Sequence, residues 1–127
     1  MPGTVPSAQV PSIGNEGYNP AMVRVRVGTS GYSYKKWKGS FYPEDLPAAR
    51  MLRYYAERFD VVEVDSPYYA LPDPDVTRRW AERTPDHFTF HVKASAAMTF
   101  HDGEPTDAAF AAFRGALEPL ELSGKLR

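Results

Sequence analysis

Residues 59–72, FDVVEVDSPYYALP, join a β-branched run to two carboxylates two positions apart and then to paired tyrosines. β-branched residues favour strands, and alternate side chains of a strand share a face. Val61, Glu63 and Asp65 therefore point one way, and Val62, Val64 and Ser66 the other. One face is apolar and the other acidic. Unpaired carboxylates are too costly to bury, so the acidic face must meet water or line a polar cavity. The stretch reads as a strand that hands its acids to a loop.

Upstream, Leu46, Ala49, Leu52, Tyr55, Ala56 and Phe59 recur at spacings of three and four, which predicts a helix over 44–59. Glu44 and Asp45 beside Pro43 suit its start. Before it, YSYKKWKGSFYP (32–43) interleaves rings with Lys35, Lys36 and Lys38. Rings beside cations suit base stacking and phosphate contact, but a loop whose rings cap the core and whose lysines are solvated explains the same pattern. In VRVRVGTSGYSY (23–34), Val23, Val25 and Val27 alternate with Arg24, Arg26 and Gly28, which predicts a strand packed on its valines. Gly28 to Gly31 then reads as a tight turn. Two glycines so close also let another segment approach the main chain, although their spacing is no phosphate-binding fingerprint. Residues 1–21 are rich in Pro, Gly, Ser and Asn with no periodic apolar pattern, and are expected to be a disordered leader to a domain over 22–127.

Downstream, Asp73 or Asp75 offers a cap for a helix carrying Val76, Trp80 and Ala81 to Thr84 and Pro85, with Trp80 as a core anchor. HFTFHVKAS (87–95) is a third strand, with Phe88, Phe90, Val92 and Ala94 on one face and Thr89, His91, Lys93 and Ser95 on the other. A last helix over 106–120 carries Phe110, Phe113, Ala116, Leu117 and Leu120, capped by Thr106 or Asp107.

Strand and helix alternate with no hairpin signal, which argues for parallel strands joined by right-handed crossovers. In an open doubly wound sheet both strand faces would read apolar. Here the second faces carry Arg26, Glu63, Asp65, His91 and Lys93, so the pattern fits a TIM-type (β/α)8 barrel with a polar lumen. A complete barrel needs about 250 residues. The chain is therefore expected to be a truncated α/β piece, the first three βα units, with a fourth strand due to begin near SGKLR (123–127).

Composition sets the outer limits. The chain has 127 residues, 43% hydrophobic, enough for one core. A net charge of -1 with mixed acids and bases gives no global pull towards nucleic acid or membrane. There is no cysteine, which removes disulfides, thiolate metal sites and thiol nucleophiles, and a cytoplasmic location is expected. No apolar run approaches the roughly 20 residues of a membrane span.

VRVGTSGYSYKKWKGSFYP, FDVVEVDSPYYALP, RRWAERTPDHFTFHVKAS and TFH resemble, in order and spacing, the YecE-like family (domain of unknown function 72) over about 23–122. Tyr32 stands where that family usually has Trp, Asp65 where Asn is common, and Pro67 and Tyr68 fall in its usual threonine-phenylalanine block. The resemblance implies a TIM-type barrel and leaves the reaction open.

Barrel sites sit at the C-terminal ends of strands. Ser30, Tyr32, Glu63, Asp65, Tyr69, Lys93 and His101 converge on that map. Glu63 or Asp65 is the candidate general base, Lys93 an anion anchor or an amine of depressed pKa, and Tyr69 or His101 a proton donor. Tyr68, Tyr69 and Trp37 suit stacking on a sugar or base, or simply lidding the barrel. An internal ion-pair network would use the same charges for stability alone, and His91 reads as a satisfied interior residue. Glu63, Asp65 and His101 are too thin a set to assign a metal, and no cofactor is indicated. The reading favoured is a hydrolase or lyase for a small polar or phosphorylated substrate, centred on Glu63 and Lys93. The alternative is a non-catalytic nucleic-acid or nucleotide binder using the 32–38 loop.

Overall fold

A computed structural model describes residues 23–127. The expected leader lies outside the described residues. Three strands, β1 (Gly28–Ser30), β2 (Val61–Val64) and β3 (Thr89–Val92), alternate with three helices, α1 (Met51–Ala56), α2 (Pro74–Glu82) and α3 (Asp107–Leu122). The sheet is wholly parallel in the order β1-β2-β3, with Ser30 opposite Glu63 and Glu63 opposite His91. Leu126 adds a parallel bridge to Phe90 on the far side of β3. Among the described residues no helix is long and apolar enough to cross a membrane.

The alternation expected of β2 and β3 is observed. Val62, Val64, Phe88 and Phe90 are buried against Leu52, Tyr55, Ala56, Leu117 and Leu120, while Glu63, His91 and Lys93 face solvent. Trp80 stacks on Phe90 at 6.0 Å between ring centroids, as a core anchor should. Both expected caps form. Asp73 accepts a hydrogen bond from the Asp75 amide at 2.8 Å, and Thr106 from the Ala109 amide at 3.1 Å.

Two elements differ from expectation. The first strand is not the valine run but the glycine segment after it: β2 begins at Val61, which pairs with Gly28, so residues before Gly28 have no β2 partner. Val25 and Val27 are each 58% exposed, whereas Arg26 is half-buried and donates to the His87 carbonyl at 2.9 Å and to Thr89 Oγ1 at 3.2 Å. Gly28 to Gly31 is thus strand rather than turn up to Ser30. A Cβ on Gly28 would lie 1.9 Å from the Val61 carbonyl oxygen, so only glycine lets β1 and β2 approach this closely. The chain turns at Gly31, whose φ of 81° lies in the left-handed region.

The helix predicted over 44–59 shrinks to Met51–Ala56, preceded by a 3-10 turn at Ala48–Arg50. Pro47 explains the loss, because a proline biases the residue before it away from helical backbone. Glu44 and Asp45 consequently lie outside the helix. The shortened α1 still delivers Tyr55, fully buried, whose hydroxyl receives hydrogen bonds from the Thr29 amide at 2.7 Å and donates to the Val61 carbonyl at 2.9 Å. One phenol therefore ties β1 to β2. Burial pushes its pKa up.

Two polar ties between layers carry no sequence signal. Thr77, buried on α2, donates to the Ala116 carbonyl of α3 at 2.7 Å. Lys125, 4% exposed, donates to the Ala81 and Thr84 carbonyls at 2.6 and 2.7 Å and to Thr84 Oγ1 at 3.2 Å, closing the C-terminal end of α2.

Candidate functional site

Parallel register brings the C-terminal ends of β1 and β2 level, and with them three polar side chains. The Ser30 hydroxyl lies 3.1 Å from Glu63 Oε1 and 2.8 Å from Asp65 Oδ2. A hydroxyl has one proton, so it can donate to only one of the two carboxylates at a time. The other Asp65 oxygen, Oδ1, is buried and has no hydrogen-bond partner among the described residues. Ser30 is itself positioned through its backbone: its carbonyl accepts from Tyr34 Oη at 2.5 Å, and the next amide, Gly31, donates to the Glu63 carbonyl at 2.7 Å.

Two shallow clefts flank this trio. One, of about 230 Å³, is lined by Tyr32, Ser33, Tyr34, Asp65 and Ser66. The other, of about 280 Å³, is lined by Gly28, Ser30, Glu63 and His91. Tyr32 is half-buried beside Tyr55, at 6.3 Å between rings, and burial raises its phenol pKa despite the opposing charge of Arg83. Its carbonyl accepts a hydrogen bond from Tyr42.

A second group gathers after β3. Lys93 Nζ lies 4.8 Å from the centre of the Tyr68 ring, a cation-π contact. Tyr68 meets Tyr69 edge-on at 4.9 Å and His101 at 5.8 Å. Thr99 Oγ1 lies 2.7 Å from Nδ1 of the exposed His101 ring and so orients it. Tyr69 is 82% exposed, and so is most of Phe100, whose φ of 63° is the one left-handed non-glycine backbone among the described residues.

The expected residues thus fall into three places. Ser30, Glu63, Asp65 and Tyr32 come together; Lys93, Tyr69 and His101 form a neighbouring group; and Trp37 sits apart. Glu63 and Lys93 share the polar sheet face but make no ion pair: the register sets Glu63 opposite His91, and the Lys93 amine lies over the Tyr68 ring instead. Trp37 packs against Tyr34 at 4.7 Å, Phe41 at 5.7 Å and Tyr42 at 5.8 Å, so neighbouring rings crowd its indole. That is the core-capping reading of the 32–43 loop. Among the described residues no three His, Asp or Glu side chains gather in a metal-ligand set, so Glu63, Asp65 and His101 do not meet at one point. Tyr34 and Thr99, which orient Ser30 and His101, were missed; no spacing distinguishes them from other loop residues.

Fold and site together define an α/β protein built of parallel βα units, with a polar group at the strand ends. The comparisons narrow this. Residues 26–127 match the family described as "Protein of unknown function DUF72", and the chain belongs to that family. It is 37% identical over 92 residues to the UPF0759 protein YunF of Bacillus subtilis, covering 68% of this chain and 33% of that protein. To the UPF0759 protein YecE of Escherichia coli K12 it is 33% identical over 75 residues, covering 59% of this chain and 25% of that protein. The chain therefore spans about a third or less of these relatives. A DUF72 family crystal structure from Thermotoga maritima superposes with a TM-score of 0.67 at 33% identity, over 80% of this chain and 41% of that one. One from Enterococcus faecalis gives 0.62 at 23% identity, over 80% and 36%, a likeness of fold alone.

Proposed function

We propose that the polar sheet face belongs to the interior of a TIM-type (β/α)8 barrel and that the protein is a cytoplasmic hydrolase or lyase. Its substrate is a small polar or phosphorylated molecule held at the C-terminal ends of the strands. The observation that carries the reading is the Ser30 hydroxyl set between the Glu63 and Asp65 carboxylates. One shared proton leaves one carboxylate free to accept a proton from a substrate, which is what a general base requires. Sequential parallel strands with one acidic face support the barrel, where that face would be covered without being made apolar.

In this reading Glu63 and Asp65 take the base role between them, and Tyr32 walls the cleft. Lys93, held over Tyr68, presents its charge to an anionic group of the substrate. His101, oriented by Thr99, gives a proton of its own to the leaving group and regains one from solvent, while the carboxylate that acted as base loses its proton to solvent. The left-handed Phe100 beside it supports a working loop, since such backbone is costly and concentrates at functional sites.

A turnover screen over phosphate esters, glycosides and small carboxylic esters tests it, with Glu63→Gln and Asp65→Asn as the variants. At least one variant should lose about 10²–10⁴-fold in kcat while keeping its circular dichroism. Turnover unchanged in both would overturn the reading.

A further inference from the structure

A third cleft lies towards the N-terminal ends of the strands and meets the cleft beside Ser30 and Glu63 at His91. It encloses about 400 Å³ and is lined by Arg24, Arg26, Thr89, His91 and Arg127, with three guanidiniums, one imidazole and no carboxylate side chain. Two of the arginines are held in an unusual way. Arg26 donates through NH1 to the His87 carbonyl and Thr89 Oγ1, and Arg127 through NH1 to the Gly124 and Leu126 carbonyls at 3.1 and 2.9 Å. Neither forms a salt bridge among the described residues. Asp60, just before β2, is engaged by His87 Nε2 at 3.1 Å.

A guanidinium carries five N–H donors in a rigid fork. Pinning NH1 with neutral oxygens fixes the orientation of the fork without neutralising its charge, and leaves the Nε and NH2 edge unmet. That edge is the one that grips an oxyanion with two parallel hydrogen bonds. Two such forks opening on one cleft, with His91 on its wall, are a poor arrangement for stability alone, because like charges are brought together where, among the described residues, no carboxylate side chain lines the cleft.

We infer that this cleft binds a phosphate-type oxyanion carried on a small molecule, held by the free edges of Arg26 and Arg127. The cleft shares His91 with the one beside Glu63, but the oxyanion is held by the arginines and does not depend on the catalytic reading.

The melting temperature of the whole chain, measured against inorganic phosphate with sodium chloride at matched ionic strength, tests it. Phosphate should raise the melting temperature saturably, as a ligand of the native state does, and chloride should not. Arg127→Gln, whose contacts are confined to the chain end, should weaken the effect at least tenfold. Arg26→Gln also removes the bonds to His87 and Thr89, so it is read beside His91→Gln, which breaks no side-chain hydrogen bond among the described residues and should weaken phosphate less. A mononucleotide should compete as well as a short single-stranded oligonucleotide. A phosphate response equal to that of chloride, a saturable response untouched in Arg127→Gln and Arg26→Gln alike, or competition by the oligonucleotide alone would each overturn the inference.

Discussion

Replacing Tyr55 by Phe removes one oxygen from the centre of the structure and should be among the costliest single-atom changes available. The ring is fully buried, so water cannot take the place of the hydroxyl. The Thr29 amide, 2.7 Å from it, loses its acceptor, and the Val61 carbonyl, 2.9 Å away, loses a donor. Thr29 Oγ1 is less affected, since it can still donate to the Gly31 carbonyl at 2.7 Å. Each buried polar group left unmade costs about 1–3 kcal/mol. Two such groups, offset by the easier burial of Phe, give a loss of about 2–4 kcal/mol, a large share of the roughly 5–15 kcal/mol that holds a domain together. Urea unfolding followed by circular dichroism should show a lower midpoint at unchanged slope. Because the phenol ties β1 to β2, the same variant should loosen Ser30 from Glu63 and Asp65. A midpoint within about 0.5 kcal/mol of wild type would refute the claim that this hydroxyl fastens the two strands.

Gly28→Ala should cost upwards of about 1–3 kcal/mol, since its methyl would fall 1.9 Å from the Val61 carbonyl oxygen and the strands would have to part; an unchanged urea midpoint would show that β1 does not approach β2 this closely. Desolvation holds the Lys125 amine below its ordinary value of 10.5, with Asp86 opposing. Between the lowered pKa and 10.5 the unfolded chain therefore binds more protons than the folded one, so stability should rise with pH across that interval. Urea midpoints taken up to pH 10.5 should show the rise in wild type and lose it in Lys125→Met, and a parallel profile in the two proteins would argue against the buried amine.

How far the sequence discloses these features depends on whether they follow from period or from register. β2, β3, α2 and α3 are legible because a run of apolar residues at period two or 3.6 reports which face is buried, and the Asp73 and Thr106 caps follow from residue type. β1 misleads because alternation marks only what could form a strand, whereas pairing needs a partner, and β2 reaches back only as far as Gly28. α1 misleads because a periodic stripe runs through Pro47, whose local veto outranks the pattern. At the site, the parity of Glu63 and Asp65 sends both to the polar face and the end of β1 brings Ser30 beside them. The distance between Glu63 and Lys93 is a matter of register, which no single strand contains. Tyr55 is recognisable as buried, but nothing in its spacing says that its hydroxyl meets Thr29. Lys125 is hidden for a related reason: a lysine in a polar tail reads as solvated until the chain folds back over the end of α2.

In the proposed function Ser30, Glu63 and Asp65 form a ligand site rather than a polar patch that only keeps the sheet in place. Melting temperatures of Arg127→Gln, in which the arginine cleft is weakened, and of the same variant with Glu63→Gln and Asp65→Asn added, taken with glucose 6-phosphate, glycerol phosphate and adenosine monophosphate, test it. At least one of these should raise the melting temperature of Arg127→Gln saturably, and the variant that also lacks both carboxylates, equally folded, should lose most of the rise. A ligand response identical in the two proteins, or no response beyond that of salt in either, would contradict it.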